Sequence, residues 1–248
     1  GFRRQLDKNG EIIGLVWALG FAYFAIRKQI PTGWTPRLFL IGVLIGCQGA
    51  IGWWMVHSGL QSGMLDVASY RLATHLGMAF VIFGFLGWYI FLLGRSEAEL
   101  LQARRSFEPR LAGMATGVMH LTFLQILLGA LVAGIDAGRA FPTWPLMGDG
   151  FLPPDPFNLV PLWRNFFEDA GLVQFMHRMM GYLLLIYTVL TWLKSRRSPN
   201  GQTRFAFNAV LAMLLVQVGL GIFTVLYSAP VFLAIVHQIG AVILWVLI

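Results

Sequence analysis

The stretches QFMHRMMGYLLL (174–185) and AIVHQIGAVIL (234–244) each place a single histidine about one turn inside a strongly apolar segment. The stretch RLATHLGMAFVIFG (71–84) repeats the second pattern around His75. Imidazole is costly in hydrocarbon unless it is paired or coordinated, so histidines at matching depth in membrane helices indicate a functional site. The pattern favours heme iron as the common partner of His75, His177 and His237.

The composition is that of a membrane protein. Hydrophobic residues make up 57% of the 248 positions and charged residues only 12%, a balance that is unusual for a soluble domain. Because about 20 apolar residues span a bilayer, the chain is predicted to form an all-α, polytopic transmembrane helix bundle. Seven helices are predicted, the first of them short: 12–26, 38–56, 72–93, 112–133, 172–193, 205–227 and 231–248.

The charge distribution predicts the orientation of the bundle. The net charge of +7 does not indicate nucleic acid as a partner, because the cations cluster in alternate loops, whereas the intervening loops are acidic. The positive-inside rule assigns the basic loops to the cytoplasm of an inner membrane, bacterial or mitochondrial, with membrane lipid around the helices. The basic residues are Arg27, Lys28, Arg37, Arg95, Arg104, Arg105, Arg110, Lys194, Arg196, Arg197 and Arg204; the acidic ones are Asp66, Asp136, Asp149, Asp155, Glu168 and Asp169.

The chain contains an internal repeat. GCQGAIGWWMV (46–56) resembles VQVGLGIFTVL (216–226), and each is followed by an outer loop and a helix with a histidine near its start. The repeat predicts two four-helix units, the first of them without its first helix. The divisions are an N-terminal half-bundle (1–94), a cytoplasmic linker (95–110) and a C-terminal four-helix bundle (111–248). In the first helix, the position equivalent to His177 falls near Leu6 or Arg3.

His177 and His237 are predicted to ligate one heme iron from opposite sides, because their helices run in the same direction. Small residues one turn further on, namely Gly181, Gly240 and Ala241, are interpreted as clearance for the macrocycle. The alternative is that the two histidines are buried and hydrogen bonded to backbone carbonyls. Four glutamines either orient the imidazoles or join helices, and the sequence leaves both open: Gln48, Gln125, Gln217 and Gln238.

The other histidines receive different interpretations. His75, with Ala79 one turn on, is predicted to be one ligand of a second, exchangeable heme, and the alternative is a helix-packing role. His57 is interpreted as an interfacial residue near an aromatic belt. His120 lies off the common level, and a hydrogen bond to a neighbouring helix is favoured there over metal ligation.

The outer loop GIDAGRAFPTWPLMGDG (134–150) is predicted either to cover a heme edge or to anchor the protein at the interface. Arg139 is a candidate partner for a heme propionate, and Arg178, beside His177, is a better one by position. The loop also contains other polar and anchoring residues: Asp136, Trp144 and Pro145.

Five stretches together resemble the heme A synthase family of membrane enzymes, over nearly the whole chain after Gly14. They are GCQGAIGWWMV (46–56), RLATHLGMA (71–79), LLGALVAGIDAGRAFPTWPLM (127–147), QFMHRMMGY (174–182) and IVHQIGA (235–241). The resemblance implies a heme-dependent oxidoreductase that converts heme O to heme A by oxidising the C8 methyl group to a formyl group. It also implies a permanent heme b on His177 and His237, and a substrate heme O on His75.

The resemblance has further implications. Heme O and heme A would be substrate and product, an external donor such as a ferredoxin or quinol would supply electrons, and heme O synthase and cytochrome oxidase assembly factors are expected partners. Members of the family have an extra N-terminal helix and then an acidic residue and a His-Arg pair, whereas GFRRQLDKNGEIIG (1–14) has no histidine. We therefore expect an N-terminally truncated or altered version, in which Glu11 is not an obvious equivalent of the acid. Two alternatives are a b-type membrane cytochrome that only relays electrons and a heme carrier.

Overall fold

The computed structural model describes residues 2–59 and 67–248, with only the helical backbone given for 2–11, 58 and 59. Regular structure in these residues is helical, apart from one isolated bridge between Met147 and Gly150. The helices are α1 (Phe2–Ile26), α2 (Thr35–Gly59), α3 (Ser69–Leu93), α4 (Glu97–Arg105), α5 (Pro109–Gly134), α6 (Asn165–Glu168), α7 (Ala170–Ser195), α8 (Gly201–Leu226) and α9 (Val231–Leu247).

The predicted all-α membrane bundle is confirmed. Helices α2, α3, α5, α7 and α8 are long and apolar enough to cross a membrane, and Ile12–Ile26 and Val231–Leu247 are shorter apolar helices. The first helix begins at Phe2 rather than at residue 12, because polar residues with good helix propensity extend it beyond its apolar part. A short helix, α4, also lies in the predicted linker, where Ser96 and Glu99 form a capping box.

The second four-helix unit surrounds one apolar core. Helix α5 packs against α7 and α9, α7 against α8, and α8 against α9. The residues at the centre come from all four helices, so each helix turns one apolar stripe inward while its other faces meet lipid. They are Val118, Leu184, Val210, Leu214 and Leu244.

Helix α3 joins the two units. It packs against α2 on one side and against α5 and α9 on the other. The indole nitrogen of Trp245 in α9 donates a hydrogen bond to the carbonyl oxygen of Phe80 over 2.8 Å. A second apolar cluster, in which Ala73 and Val173 are buried, connects α3 to α5, α7 and the loop after α5. The histidine-bearing helices α3, α7 and α9 are therefore held in one continuous bundle.

We call the end of the bundle that carries residues 135–169 the outer end. Helix α3 begins there, because the Ser69 hydroxyl donates to the carbonyl of Phe167 over 2.8 Å. Helix α7 begins there as well, where the Asp169 carboxylate accepts the backbone N–H of Leu172 over 2.7 Å and caps the helix. The turn before α9 reaches the same loop, since a Cβ atom at Gly138 would lie 3.0 Å from that of Ala229. The three helices therefore run in the same direction.

The orientation of the bundle in the membrane can be tested by cysteine labelling. We expect a cysteine at Gln202 to be labelled from the cytoplasmic side and one at Asn158 from the opposite side, because the loops differ in their Lys and Arg content. Both side chains are exposed, whereas Ser198 in the same basic loop is buried and donates to Glu108. The background variant is Cys47→Ser, since the native thiol is itself exposed. Labelling from the reverse sides would contradict the orientation.

Candidate heme-binding site

His177 on α7 packs edge-on against the backbone of α5. A Cβ atom at Gly129 would lie 3.1 Å from Cε1 of His177, so only glycine leaves the imidazole its present position. One turn deeper, Nε2 of Gln125 lies 3.2 Å from both ring nitrogens of His177. The imidazole is thus fixed between a glycine and an amide of the same neighbouring helix.

The arrangement recurs in full at His75, whereas at His237 only the glycine recurs, because Nε2 of Gln217 has no hydrogen-bond partner among the described residues. A Cβ atom at Gly52 would lie 2.9 Å from Cε1 of His75, and one at Gly221 would lie 3.3 Å from Cε1 of His237. The amide nitrogen of Gln48 lies 3.3 Å from Nε2 of His75. In each of α2, α5 and α8 the glycine follows the glutamine by four residues, which places both on one face of the helix.

Sequence reasoning missed the three glycines, although their signal is in the chain. QGAIG (48–52), QILLG (125–129) and QVGLG (217–221) share the pattern Gln-x-x-x-Gly, and each precedes a helix with a histidine near its start. We call each set of glutamine, glycine and histidine a Gln-Gly-His unit. The internal repeat predicted from the sequence relates α2 to α8 and does not extend to α5.

The donor set of these units fits a heme. Nδ1 of His75 and Nδ1 of His237 are buried and have no hydrogen-bond partner among the described residues. A buried nitrogen without a partner is unfavourable in an apolar bundle, and iron coordination by imidazole satisfies the ring. Helices α7 and α9 both pack against α5 and α8, so His177 and His237 belong to the same four-helix unit. Both therefore stay the predicted axial ligands of one heme b, and His75 stays the predicted ligand of a second heme.

The small residues below the histidines are in contact with glutamines. The amide of Gln217 packs against Gly240, and a Cβ atom at Gly181 would lie 3.4 Å from Nε2 of Gln125. The glycines therefore make room for these amides as well as for a flat macrocycle. Each glutamine ends in a flexible side chain, so a bound ring can displace the amide without a change in the backbone. Gln238, in contrast, has an exposed side chain.

The outer loop is fastened to α7 by Arg178. Its terminal nitrogens donate to the carbonyl of Leu146 over 3.2 Å and to that of Phe141 over 3.0 Å. The indole of Trp144 donates to the Tyr182 hydroxyl over 2.8 Å. Arg139 is exposed and has no ion pair with the described residues. The role of either arginine toward a propionate stays a prediction; Arg178 also has a structural role in holding the loop.

The remaining sequence candidates lie apart from the three units. His57 is exposed and stacks on Trp53 with ring centroids 4.7 Å apart, as expected for a histidine beside aromatic residues. The predicted interhelical hydrogen bond of His120 is wrong, because its Nδ1 pairs with the carbonyl of Thr116, one turn earlier in its own helix, over 2.7 Å. Residue 66 and the side chains of Arg3, Leu6 and Glu11 lie outside the described residues.

An apolar groove of about 440 Å³ lies on the neighbouring face of α3. It is bordered by α2 and α5, and its α3 wall includes Thr74 and Met78, which flank His75 in the sequence. Its other lining residues are almost all hydrophobic, so the groove suits an apolar chain. The His75 unit therefore has an apolar groove beside it.

Comparison with known proteins places the chain in a family. Residues 8–248 match the family model COX15-CtaA, described as cytochrome oxidase assembly protein. The chain is 63% identical to a heme A synthase of Ruegeria sp. (strain TM1040) over 247 residues, which cover 99% of this chain and 64% of the relative. It is 61% identical to a heme A synthase of Roseobacter denitrificans, with the same coverage of both chains. It is 59% identical to one of Paracoccus denitrificans, with 96% and 63% covered.

The chain thus spans a little under two thirds of the length of these curated relatives. The match covers all three Gln-Gly-His units, the outer loop and every long helix in the described residues. Together with its apolar helices, it identifies a multi-pass integral protein of the inner membrane. The chain belongs to the COX15-CtaA family of cytochrome oxidase assembly proteins.

Proposed function

We propose that this protein acts in heme A biosynthesis as a heme A synthase, a heme-dependent oxidoreductase that oxidises the C8 methyl group of heme O to a formyl group. The proposal assigns a permanent heme b to His177 and His237 in the C-terminal half, residues 111–248. It assigns heme O, the substrate, to His75 in the N-terminal half, residues 1–94. Residues 95–110 connect the two halves on the cytoplasmic side.

One observation carries the proposal, namely the repetition of the Gln-Gly-His unit in both halves of the chain. Two units lie in the C-terminal half, where the histidine-bearing helices α7 and α9 both pack against α5 and α8. The third, around His75, has an unpartnered Nδ1 among the described residues and an apolar groove beside it. Heme O differs from heme b by an isoprenoid side chain, which such a groove accommodates. The similarity to heme A synthases of Ruegeria and Roseobacter supports the same function.

The protein's own residues position the imidazoles and provide an apolar surface for the substrate. The glycines set the depth of each imidazole, and Gln48 and Gln125 restrict the rotation of His75 and His177 about the Cβ–Cγ bond. The groove beside His75 presents an apolar surface to the substrate. The bound heme irons supply the electron transfer and the oxygen chemistry.

The proposal requires partners that the chain does not encode. The methyl-to-formyl oxidation proceeds by successive hydroxylations with oxygen and water, and an external ferredoxin or quinol provides the electrons. Arg139 and Arg178 are candidates for heme propionate contacts from the outer loop. Heme O synthase and cytochrome oxidase assembly factors are the expected protein partners.

The heme content of the purified protein distinguishes an enzyme from an electron relay. We expect protein from cells that make heme O to contain heme B together with heme O or heme A, and His75→Ala to contain heme B alone. The reason is that His75 belongs to the substrate unit, whereas His177 and His237 belong to the other heme. The measurement is extraction of the hemes and their separation by chromatography.

Growth without heme O supply is the control, under which both proteins should yield only heme B. Heme B as the only heme in every preparation would favour a relay cytochrome. Heme O that is bound and never converted would favour a carrier. Unchanged heme O or heme A content in His75→Ala would contradict the assignment of the substrate to this histidine.

A further inference from the structure

Arg71 lies in the first turn of α3, four residues before His75. Residues four apart share one face of a helix, and helical side chains lean toward the N-terminus, which in α3 is the outer end. The guanidinium is therefore about one turn above the imidazole on the same side of the bundle. The side chains of Arg71 and His75 therefore face the same space, with Arg71 nearer to the outer end of the bundle.

The guanidinium of Arg71 is oriented by aromatic rings and retains free donors. Its central carbon lies 5.2 Å from the ring centroid of Trp54 on α2 and 5.5 Å from that of Tyr70. Its Nε is buried and has no hydrogen-bond partner among the described residues, and no ion pair with these residues involves it. A guanidinium offers five N–H donors in a fixed fork, and a planar carboxylate matches this fork with two parallel hydrogen bonds.

The other two units have no equivalent cation. The residue four before His177 is Val173, and the residue four before His237 is Leu233. Arg178, the arginine nearest to His177, already donates to two loop carbonyls, unlike Arg71. An arginine above the histidine, with an Nε that has no hydrogen-bond partner among the described residues, is thus a feature of the His75 unit, the unit proposed to hold the substrate.

We propose that Arg71 binds a propionate carboxylate of the porphyrin that is held at His75. The inference rests on the proposed function, because it requires a heme at that histidine. The two propionates of a heme lie on one edge of the ring, so a ring bound edge-on with this edge outward directs a carboxylate toward the level of Arg71. The arginine fixes which edge faces outward and hence which part of the porphyrin lies deep in the bundle. Arg71 is therefore a positioning residue for the methyl group to be oxidised.

Binding of two porphyrins to the full chain tests this proposal. Heme O and its dimethyl ester, in which both propionates are neutral, are titrated by absorption into detergent-purified wild type and Arg71→Gln. We expect Arg71→Gln to lower the affinity for heme O by about tenfold or more, because it removes charge-assisted hydrogen bonds. The affinity for the ester should stay unchanged. Arg71→Lys should give an intermediate affinity for heme O, because it retains the charge and loses the fork.

Arg37→Gln is the matched control. Arg37 also stacks on a tryptophan, 4.9 Å from the ring centroid of Trp34, but it lies at the start of α2 and so at the opposite end of the bundle. We expect Arg37→Gln to leave the affinities for heme O and for its dimethyl ester unchanged. Far-UV circular dichroism and size-exclusion profiles establish that each variant is folded.

Two results would overturn the proposal. An equal loss for heme O and its ester would mean that Arg71 acts through packing on Trp54 or through a lipid headgroup, and no loss for either would mean that it does not contact the porphyrin. His75→Ala separates this inference from the proposed function. If His75→Ala binds both porphyrins with wild-type affinity, the proposed substrate site is wrong. If His75→Ala loses affinity but the Arg71 variants bind heme O as wild type does, only the role of Arg71 is wrong.

Discussion

Replacement of His177 or His237 by alanine is expected to abolish the low-spin spectrum of the C-terminal heme. His177 is held between Gly129 and Gln125, His237 packs against Gly221, and their helices α7 and α9 both pack against α5 and α8. Loss of a neighbour of a ligand costs about 10–100-fold in metal affinity, so loss of the ligand itself should cost at least about 100-fold. Reduced-minus-oxidised absorption spectra of the purified variants measure the effect.

His120→Ala and His57→Ala are the controls within the same chain. Both side chains are exposed; one pairs with its own helix and the other stacks on Trp53. We expect both variants to keep the wild-type spectrum and heme content. A normal low-spin spectrum in both His177→Ala and His237→Ala would contradict the bis-histidine assignment.

The helices could be predicted from hydropathy because the bilayer imposes one simple requirement. Every backbone N–H and C=O in hydrocarbon must be paired internally, so an apolar run of sufficient length becomes a helix. Hydropathy does not limit a helix where it leaves the membrane, and for this reason α1 extends back to Phe2 and α4 forms in the linker. The loop after α5 folds through tertiary contacts such as those of Asn165, which hydropathy does not encode.

The histidines could be predicted because a polar residue in an apolar run is conspicuous. The residues that contact these histidines are less conspicuous in the sequence. Gly52, Gly129 and Gly221 are among many glycines in apolar helices, and only the helix opposite shows which of them faces an imidazole. Gln125 was recognised as a possible orienting group, but its histidine lies 52 residues further along the chain. A pairing of this kind depends on how the helices pack, and the packing follows from the whole bundle.

The same distinction separates Arg71 from Arg139 and Arg178. All three lie near the outer end. Their positions in the sequence favour Arg178, which is beside His177, and Arg139, which is in the outer loop. The structure separates them by what their donors already contact. Arg178 is engaged by loop carbonyls, Arg139 is exposed, and Arg71 is stacked on two rings with its Nε buried and unpartnered among the described residues.

Substitution of Gly221 by leucine is expected to lower the affinity for the C-terminal heme by about tenfold or more, while the protein remains folded. A Cβ atom at this position would lie 3.3 Å from Cε1 of His237, so the remaining atoms of leucine must enter the space of the imidazole. Overpacking of this kind costs about 1–3 kcal/mol, and 1.4 kcal/mol corresponds to a factor of ten. Alanine at the same position should have a much smaller effect, because a shift of a few tenths of an ångström accommodates its Cβ atom. The measurement is the ratio of bound heme to protein across a heme titration.

Gly219→Leu is the control that makes this test specific. A Cβ atom at Gly219 has no heavy atom within 4 Å, so the same side chain added two residues earlier in α8 points into open space. Gly52→Leu and Gly49→Leu form a second matched pair on α2, since a Cβ atom at Gly52 would lie 2.9 Å from Cε1 of His75 and one at Gly49 meets nothing within 4 Å. We expect Gly52→Leu to weaken the binding of heme O and to leave the binding of the C-terminal heme unchanged. Gly221→Leu should have the opposite pattern. If the two members of either pair behaved alike, the glycines would be general helix-packing residues and the histidine positions would be set by other contacts.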